Sequence, residues 1–192
     1  MAITRLMALA TVARVVEPAE FRRAVAPRAA HRNQPLAIMA TINVGTVDVI
    51  LISPRTDGWR ILTLQRAKDT RCPMAWETVH GRIEPGERPE HAAVREVREE
   101  TGLDVARLYN VCVQPFYLHH THTVELAVTF AAFVDPGAEL TLGAEHARSE
   151  WLVPERALER FVWPRERAAL RDVLLLLQQG DAGPVEDVLR VF

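Results

Sequence analysis

A chain of 192 residues can bury the core of one domain, and 48% hydrophobic with 25% charged residues is ordinary for a globular protein. A formal net charge of −2 gives no basis for a nucleic-acid or anionic-membrane surface. No apolar run nears the roughly twenty residues of a membrane span, and Cys72 and Cys112, the only cysteines, fit neither a secreted disulfide scaffold nor a zinc site.

Residues 1–34 read as an Arg- and Ala-rich N-terminal extension, with a short strand or helix expected around Leu9–Val16 and another segment at Glu20–Val25. Glu17 and Glu20 argue against a transit peptide, and no cleavage pattern is evident, so a cytoplasmic protein is expected. Val47–Ile52 is a buried strand, Pro54–Gly58 a hairpin turn and Trp59–Arg66 its partner strand. The loop Lys68–Ala75 carries the only lysine of a chain whose basic charge is otherwise arginine. After a short strand, Trp76–His80, the turn Glu84-Pro85-Gly86-Glu87 precedes a helix of about twelve residues. Pro89 suits its first position and Gly102 the residue just past its end.

Leu108–Leu118 and Val124–Val134 then form a strand pair, a polar loop spans Asp135–Arg148, and Glu150–Val153 is the last strand. Glu155–Phe161 is a short helix, and Pro164–Gln179 is an amphipathic one with Leu170, Val173, Leu174 and Leu177 on one side. Strands and helices in this order imply a mixed sheet between helices. The domain division is an extension over 1–34, a catalytic domain over 35–178 and a C-terminal tail over 179–192.

The helix after the turn carries the chemistry. At roughly 100° per residue, Glu96, Glu99 and Glu100 fall within an arc of about 100°, with Val94, Val97 and Thr101 opposite. Two carboxylates about 4 Å apart repel by roughly 1 kcal/mol in water and about 4 kcal/mol at an effective dielectric of 20. Like charges at i and i+4 also weaken the helix. A hard divalent cation with oxygen ligands relieves that repulsion. A solvated acidic face is the plainer explanation of Arg-Glu-Val-Arg-Glu-Glu alone, and only the longer spacing displaces it.

That spacing runs from Gly81 to Leu103, GRIEPGERPEHAAVREVREETGL. It resembles the signature of the Nudix hydrolases: Gly, five residues, Glu, seven residues, then Arg-Glu-aliphatic-x-Glu-Glu-x-Gly-aliphatic. With roughly one chance in ten per fixed residue and one in four per aliphatic, the odds of one accidental match are on the order of one in a hundred million. The resemblance covers about residues 35–178 and implies an α/β/α sandwich with a mixed central sheet. It also implies Mg²⁺-dependent (or Mn²⁺-dependent) cleavage of a diphosphate linkage in a nucleoside diphosphate attached to another group. Residue by residue, Glu96, Glu99 and Glu100 match the metal-binding glutamates and Gly81 the glycine whose carbonyl adds a ligand. Arg95 matches the arginine that orients those carboxylates, and Glu87 the glutamate that braces the loop or helps bind metal.

Family members often recruit a further acidic residue. Glu145-His146 ahead of Trp151-Leu152 is similar to a stretch of the bacterial dihydroneopterin triphosphate pyrophosphatases, which makes Glu145 the candidate ligand or general base; Glu125, Glu139 and Glu150 are weaker rivals. Trp76–Gly81 and Val162–Arg165 echo the same subfamily, whereas His80 departs from its usual small residue. His119, His120 and His122 suit a solvated hairpin better than a metal site, and Trp76, Phe116, Tyr117 and Trp151 are candidates for stacking on a base. The expected substrate is a nucleoside triphosphate or pterin triphosphate, with pyrophosphate released. ADP-ribose or a nucleoside diphosphate sugar is the alternative, and a non-catalytic Nudix-like sensor a third reading. No nucleic-acid or membrane partner is expected, and a homodimer is left open.

Overall fold

The computed structural model describes residues 40–177 and 179–192; the segments expected at Leu9–Val16 and Glu20–Val25 lie outside them. Seven strands form one mixed sheet: β1 (Thr41–Arg55), β2 (Gly58–Arg66), β3 (Trp76–Glu77), β4 (Val79–Arg82), β5 (Val105–Leu118), β6 (Thr123–Val134) and β7 (His146–Leu152). The main path is β3-β2-β1-β6-β5, with β4 also pairing β1 and β7 pairing β2. Only β1 and β6 run parallel.

Strand side chains alternate between faces, so β1 feeds two cores. Val47, Val49 and Leu51 meet Ala92, Ala93 and Val97 of α1 (Pro89–Thr101) on one side. Ile50 and Ile52 meet Ala157 of α2 (Pro154–Arg160) and Leu170, Val173 and Leu177 of α3 (Pro164–Leu177) on the other. Burial on both faces explains why β1 reads as a nearly continuous apolar run. The expected α/β/α sandwich with a mixed sheet is what the chain forms.

Three boundaries differ from the local pattern. β1 begins at Thr41 and not Val47, because its exposed first residues pair in parallel with β6 from Thr41 opposite Thr123. The strand read as Trp76–His80 divides at Thr78, where the chain steps from pairing with β2 to pairing with β1 and the Thr78 hydroxyl donates to the Val49 carbonyl. β7 starts at His146 because it pairs with β2 as far as Arg66, which shortens the polar loop to 135–145. The segment beyond α3 folds back onto β5 through α4 (Glu186–Leu189): Val191 N–H donates to Leu108 O at 2.8 Å, and the Tyr109 hydroxyl donates to Glu186 at 2.9 Å. Cys72 and Cys112 are both free, and no described helix is long and apolar enough to cross a membrane.

The ends of α1 fix where its carboxylates sit. Pro89 occupies the first turn, and Gly102 ends the helix at φ 69°, its N–H donating to Arg98 O at 2.9 Å. A Cβ on Gly102 would also lie 3.2 Å from Thr141 Cβ. Gly102→Ala should therefore cost about 1–2 kcal/mol of stability in urea unfolding, the penalty of a left-handed L-residue; an unchanged midpoint would show that this helix end relaxes freely.

Candidate active site

Arg95 is the hub of the signature. Its Nε and Nη2 grip both oxygens of Glu87, at 3.0 and 2.9 Å, while Nη1 donates to Glu96 at 2.8 Å and to Glu99 at 3.2 Å. Nη2 also reaches the Arg82 carbonyl at 2.8 Å, which ties the helix to the end of β4. Glu87 in turn accepts the Glu84 N–H across the turn at 2.9 Å. The Arg95 hydrogen bonds, with the Glu84 N–H second, hold the Glu87 carboxyl down at about 2. The same pairing, Glu87 foremost, raises Arg95 above its ordinary value.

Gly81 makes room for Glu96. A Cβ there would fall 1.8 Å from Glu96 Cδ and 2.1 Å from Oε1, so the carboxyl rests against the glycine backbone. Glu99 is largely exposed, whereas Glu100 is buried. Burial, then the charges of Glu96, Glu77 and Glu145, push the Glu100 carboxyl up to about 9, against which the His80 backbone N–H is the opposing influence.

The loop before β7 brings Glu145 to this corner. Thr141 N–H donates to Thr101 O at 2.9 Å and Gly143 N–H to Glu100 O at 2.8 Å, pinning the loop to the last turn of α1. A Cβ on Gly143 would lie 2.8 Å from Glu99 O, so the approach needs glycine. Ala67 N–H donates to Glu145 O at 2.8 Å, and the Glu145 carboxylate pairs with Arg66 at 3.1 Å.

Glu87, Arg95, Glu96 and Glu99 thus share one ion-pair cluster, with Gly81 against Glu96 and with Glu100 and Glu145 within its electrostatic reach. Among the described residues no three carboxylate or imidazole groups yet close on a single point; Arg95 occupies several of the oxygens that a cation would share. The rivals to Glu145 have other work or none visible. Glu125 accepts Asn43 Nδ2 at 3.0 and 3.1 Å, Glu150 pairs with Arg160 at 2.9 Å, and Glu139 is exposed. His119, His120 and His122 stand exposed at the β5–β6 hairpin. Of the stacking candidates, Trp76 lies under Arg160 at 4.6 Å, Phe116 under Arg165 at 4.8 Å, Trp151 packs against the α1-side core, and Tyr117 is exposed.

Two groups of buried polar residues escaped the sequence reading. Glu77 receives Arg66 Nη1 at 3.0 Å and Trp163 Nε1 at 3.4 Å, with His146 beside it at 3.7 Å. Burial raises the Glu77 carboxyl, but His146 and then Arg66 more than offset this and leave it lowered. On the α3 side, Asp48, 1% exposed, binds His80 Nδ1 at 2.5 Å and Arg165 Nε at 2.9 Å. Burial opposes ionisation there too, yet the His80 and Arg165 contacts leave Asp48 lowered. Neighbouring Glu166 is fully buried, neither carboxyl oxygen is hydrogen-bonded to another of the described residues, and burial, then Asp48, push it well above the ordinary range. The available signals were a lone Asp inside an apolar strand and Glu77 inside the short strand before Gly81.

Removing Arg95 should free Glu87. Above about pH 4.5 their pairing supports the fold, and that support is lost as pH falls toward 2. In a carbon-detected NMR titration of Arg95→Ala, the Glu87 midpoint should rise from about 2 toward 4.5, the Glu84 N–H keeping part of the depression. A midpoint left near 2 would assign the depression to the turn backbone instead.

Comparison with known proteins bears on the whole of this domain. The NUDIX domain family model matches residues 43–173. An octanoyltransferase of Myxococcus xanthus is 36% identical over 117 residues, 60% of this chain but 32% of that protein. The CTP pyrophosphohydrolase of Escherichia coli is 30% identical over 132 residues, 68% of this chain and 93% of its own length. The E. coli dihydroneopterin triphosphate diphosphatase is 41% identical over 59 residues, 31% of this chain and 37% of that protein. A solved structure of the E. coli dihydroneopterin triphosphate pyrophosphohydrolase superposes with a TM-score of 0.57 at 24% identity, covering 68% of this chain and 94% of that one, and shows the same fold. The chain thus spans about a third of the length of two of these relatives and nearly all of the third. With the family model covering residues 43–173 and the signature folded as described, the chain belongs to the Nudix family.

Proposed function

We propose that this chain is a Mg²⁺-dependent pyrophosphohydrolase that splits a diphosphate linkage in a nucleoside triphosphate or a pterin triphosphate and releases pyrophosphate. The observation that carries the reading is Glu100: a buried carboxyl whose Oε2 has no hydrogen-bond partner among the described residues, pushed up by burial and then by the charges of Glu96, Glu77 and Glu145, with the backbone of His80, next to Gly81, as the opposing influence. A divalent cation is the partner such a carboxyl lacks, and an all-oxygen donor set suits Mg²⁺ or Mn²⁺.

Glu96, Glu99 and Glu100, with the Gly81 carbonyl, would hold the ion. Once bound it would neutralise charge on the phosphate oxygens and orient the linkage for attack by water. Arg95 keeps Glu96 and Glu99 aligned and offsets their repulsion before substrate arrives. Glu145 stands at the solvent side of the same corner, with its carboxylate 62% exposed and held by Arg66. From there it can complete the donor set or take the proton of the attacking water.

The products decide the reading. With Mg²⁺ and a panel of nucleoside triphosphates, dihydroneopterin triphosphate and ADP-ribose, phosphorus NMR should show pyrophosphate and a monophosphate from a triphosphate substrate. Orthophosphate as the first product would overturn the cleavage class, and turnover of ADP-ribose alone would overturn the substrate class.

Glu100→Gln separates stability from activity. A folded-state value raised from 4.5 to about 9 makes the metal-free fold lose stability as pH rises through that window. The glutamine variant, uncharged at all pH, should be more stable than the parent at pH 8 without metal, by on the order of 1 kcal/mol or more, while turnover falls at least about a hundredfold. Near-normal turnover in the folded variant at saturating Mg²⁺ would remove Glu100 from the site.

A further inference from the structure

His146, the first residue of β7, is held where neither ring nitrogen has a hydrogen-bond partner among the described residues, although its side chain is 1% exposed. Nε2 lies 3.7 Å from Glu77 Oε1, and Nδ1 lies 3.8 Å from Glu100 Oε2, which is itself unpartnered. Unpaired polar atoms in a dry interior destabilise a fold, so something must keep the imidazole in this gap. The backbone does so. His146 N–H donates to Gly143 O at 3.2 Å, and Gly143 N–H is bound to the last turn of α1. On the other side β7 is paired to β2, with His146 opposite Arg66. The ring is a wedge between a carboxylate of β3 and a carboxylate of α1, set by the pairing of β7 with β2 and by the Gly143 tie to the Glu100 backbone.

We infer that His146 is a positioning residue, which braces Glu100 against Glu77 and so fixes where the Glu100 carboxylate lies when a divalent cation is bound. The inference rests on the reading of Glu100 as a cation ligand. Each gap exceeds a formed N–H···O bond by less than about 1 Å, so a small rotation of either carboxyl closes it. A carboxylate that ligates a cation gains from a second donor that fixes its unused lone pair, and loss of such a partner typically weakens metal binding about 10- to 100-fold. Glu77 is a firm backstop, because Arg66 and Trp163 already hold both of its oxygens.

The two ring nitrogens can be replaced one at a time. Asparagine puts its amide nitrogen near the position of Nδ1, toward Glu100; glutamine puts its own near that of Nε2, toward Glu77. Binding of Mn²⁺ to the substrate-free protein, followed by the EPR signal of free Mn²⁺, reads the effect without turnover. His146→Ala and His146→Gln should weaken Mn²⁺ binding about tenfold or more, His146→Asn should restore most of it, and KM for the nucleotide should stay within about twofold. Should His146→Ala fail to fold, the Asn and Gln variants decide, and equal Mn²⁺ affinity in those two overturns the inference. Normal binding in all His146 variants, with weakened binding in Glu100→Gln, overturns it while leaving the cation site intact. Normal binding in Glu100→Gln as well removes the cation assignment and the role of His146 together.

Discussion

Repulsion among carboxylates organises this domain. Burial first, and then the charges of Glu96 on the same helix α1, Glu77 on β3 and Glu145 at the end of the β7 loop, push the Glu100 carboxyl up to about 9. At an effective dielectric of 20, one such pair at contact range is worth about 4 kcal/mol, a large share of the 5–15 kcal/mol by which domains are stable. Two arginines distribute the load. Arg95 takes Glu87, Glu96 and Glu99; Arg66 takes Glu77 and Glu145. Of these carboxylates, Glu100 alone has no arginine within ion-pair distance among the described residues.

Backbone space matters as much as charge. Gly81 lets the Glu96 carboxyl lie against β4, and Gly143 lets the loop lie against the last turn of α1. Each side chain withheld allows two elements to close within contact distance, and both closures point acidic groups at the same corner. The loop is therefore pinned beside the candidate site, hydrogen-bonded to Glu100 O and Thr101 O.

Much of this was legible in the residues themselves. The signature spacing, the Pro and Gly at the ends of α1 and the alternation of the buried strands are local signals, and they led to the helix, its acidic face and the layered sheet. The long-range pairings were not local. Thr41–Thr46 looks too polar to be the start of a strand until β6 is beside it, and His146 looks like a loop residue until β2 claims it. Buried charge was the other blind spot. Asp48, Glu77 and Glu166 are acidic residues whose surroundings come from elements up to 117 positions away, and composition alone assigns such residues to solvent. Glu145 could be singled out from its neighbours in sequence; its tie to Arg66 could not.

The loop after β2 holds one more property of practical value. Lys68 is the only lysine in the chain and is exposed, next to the Ala67 whose N–H binds the Glu145 carbonyl. An amine-reactive dye therefore has a single side-chain attachment point, one residue from the strap that joins β2 to the acidic corner. Unmutated protein can carry a fluorophore there, so that ligand arrival is seen as a change in emission from a probe placed by the natural composition of the chain.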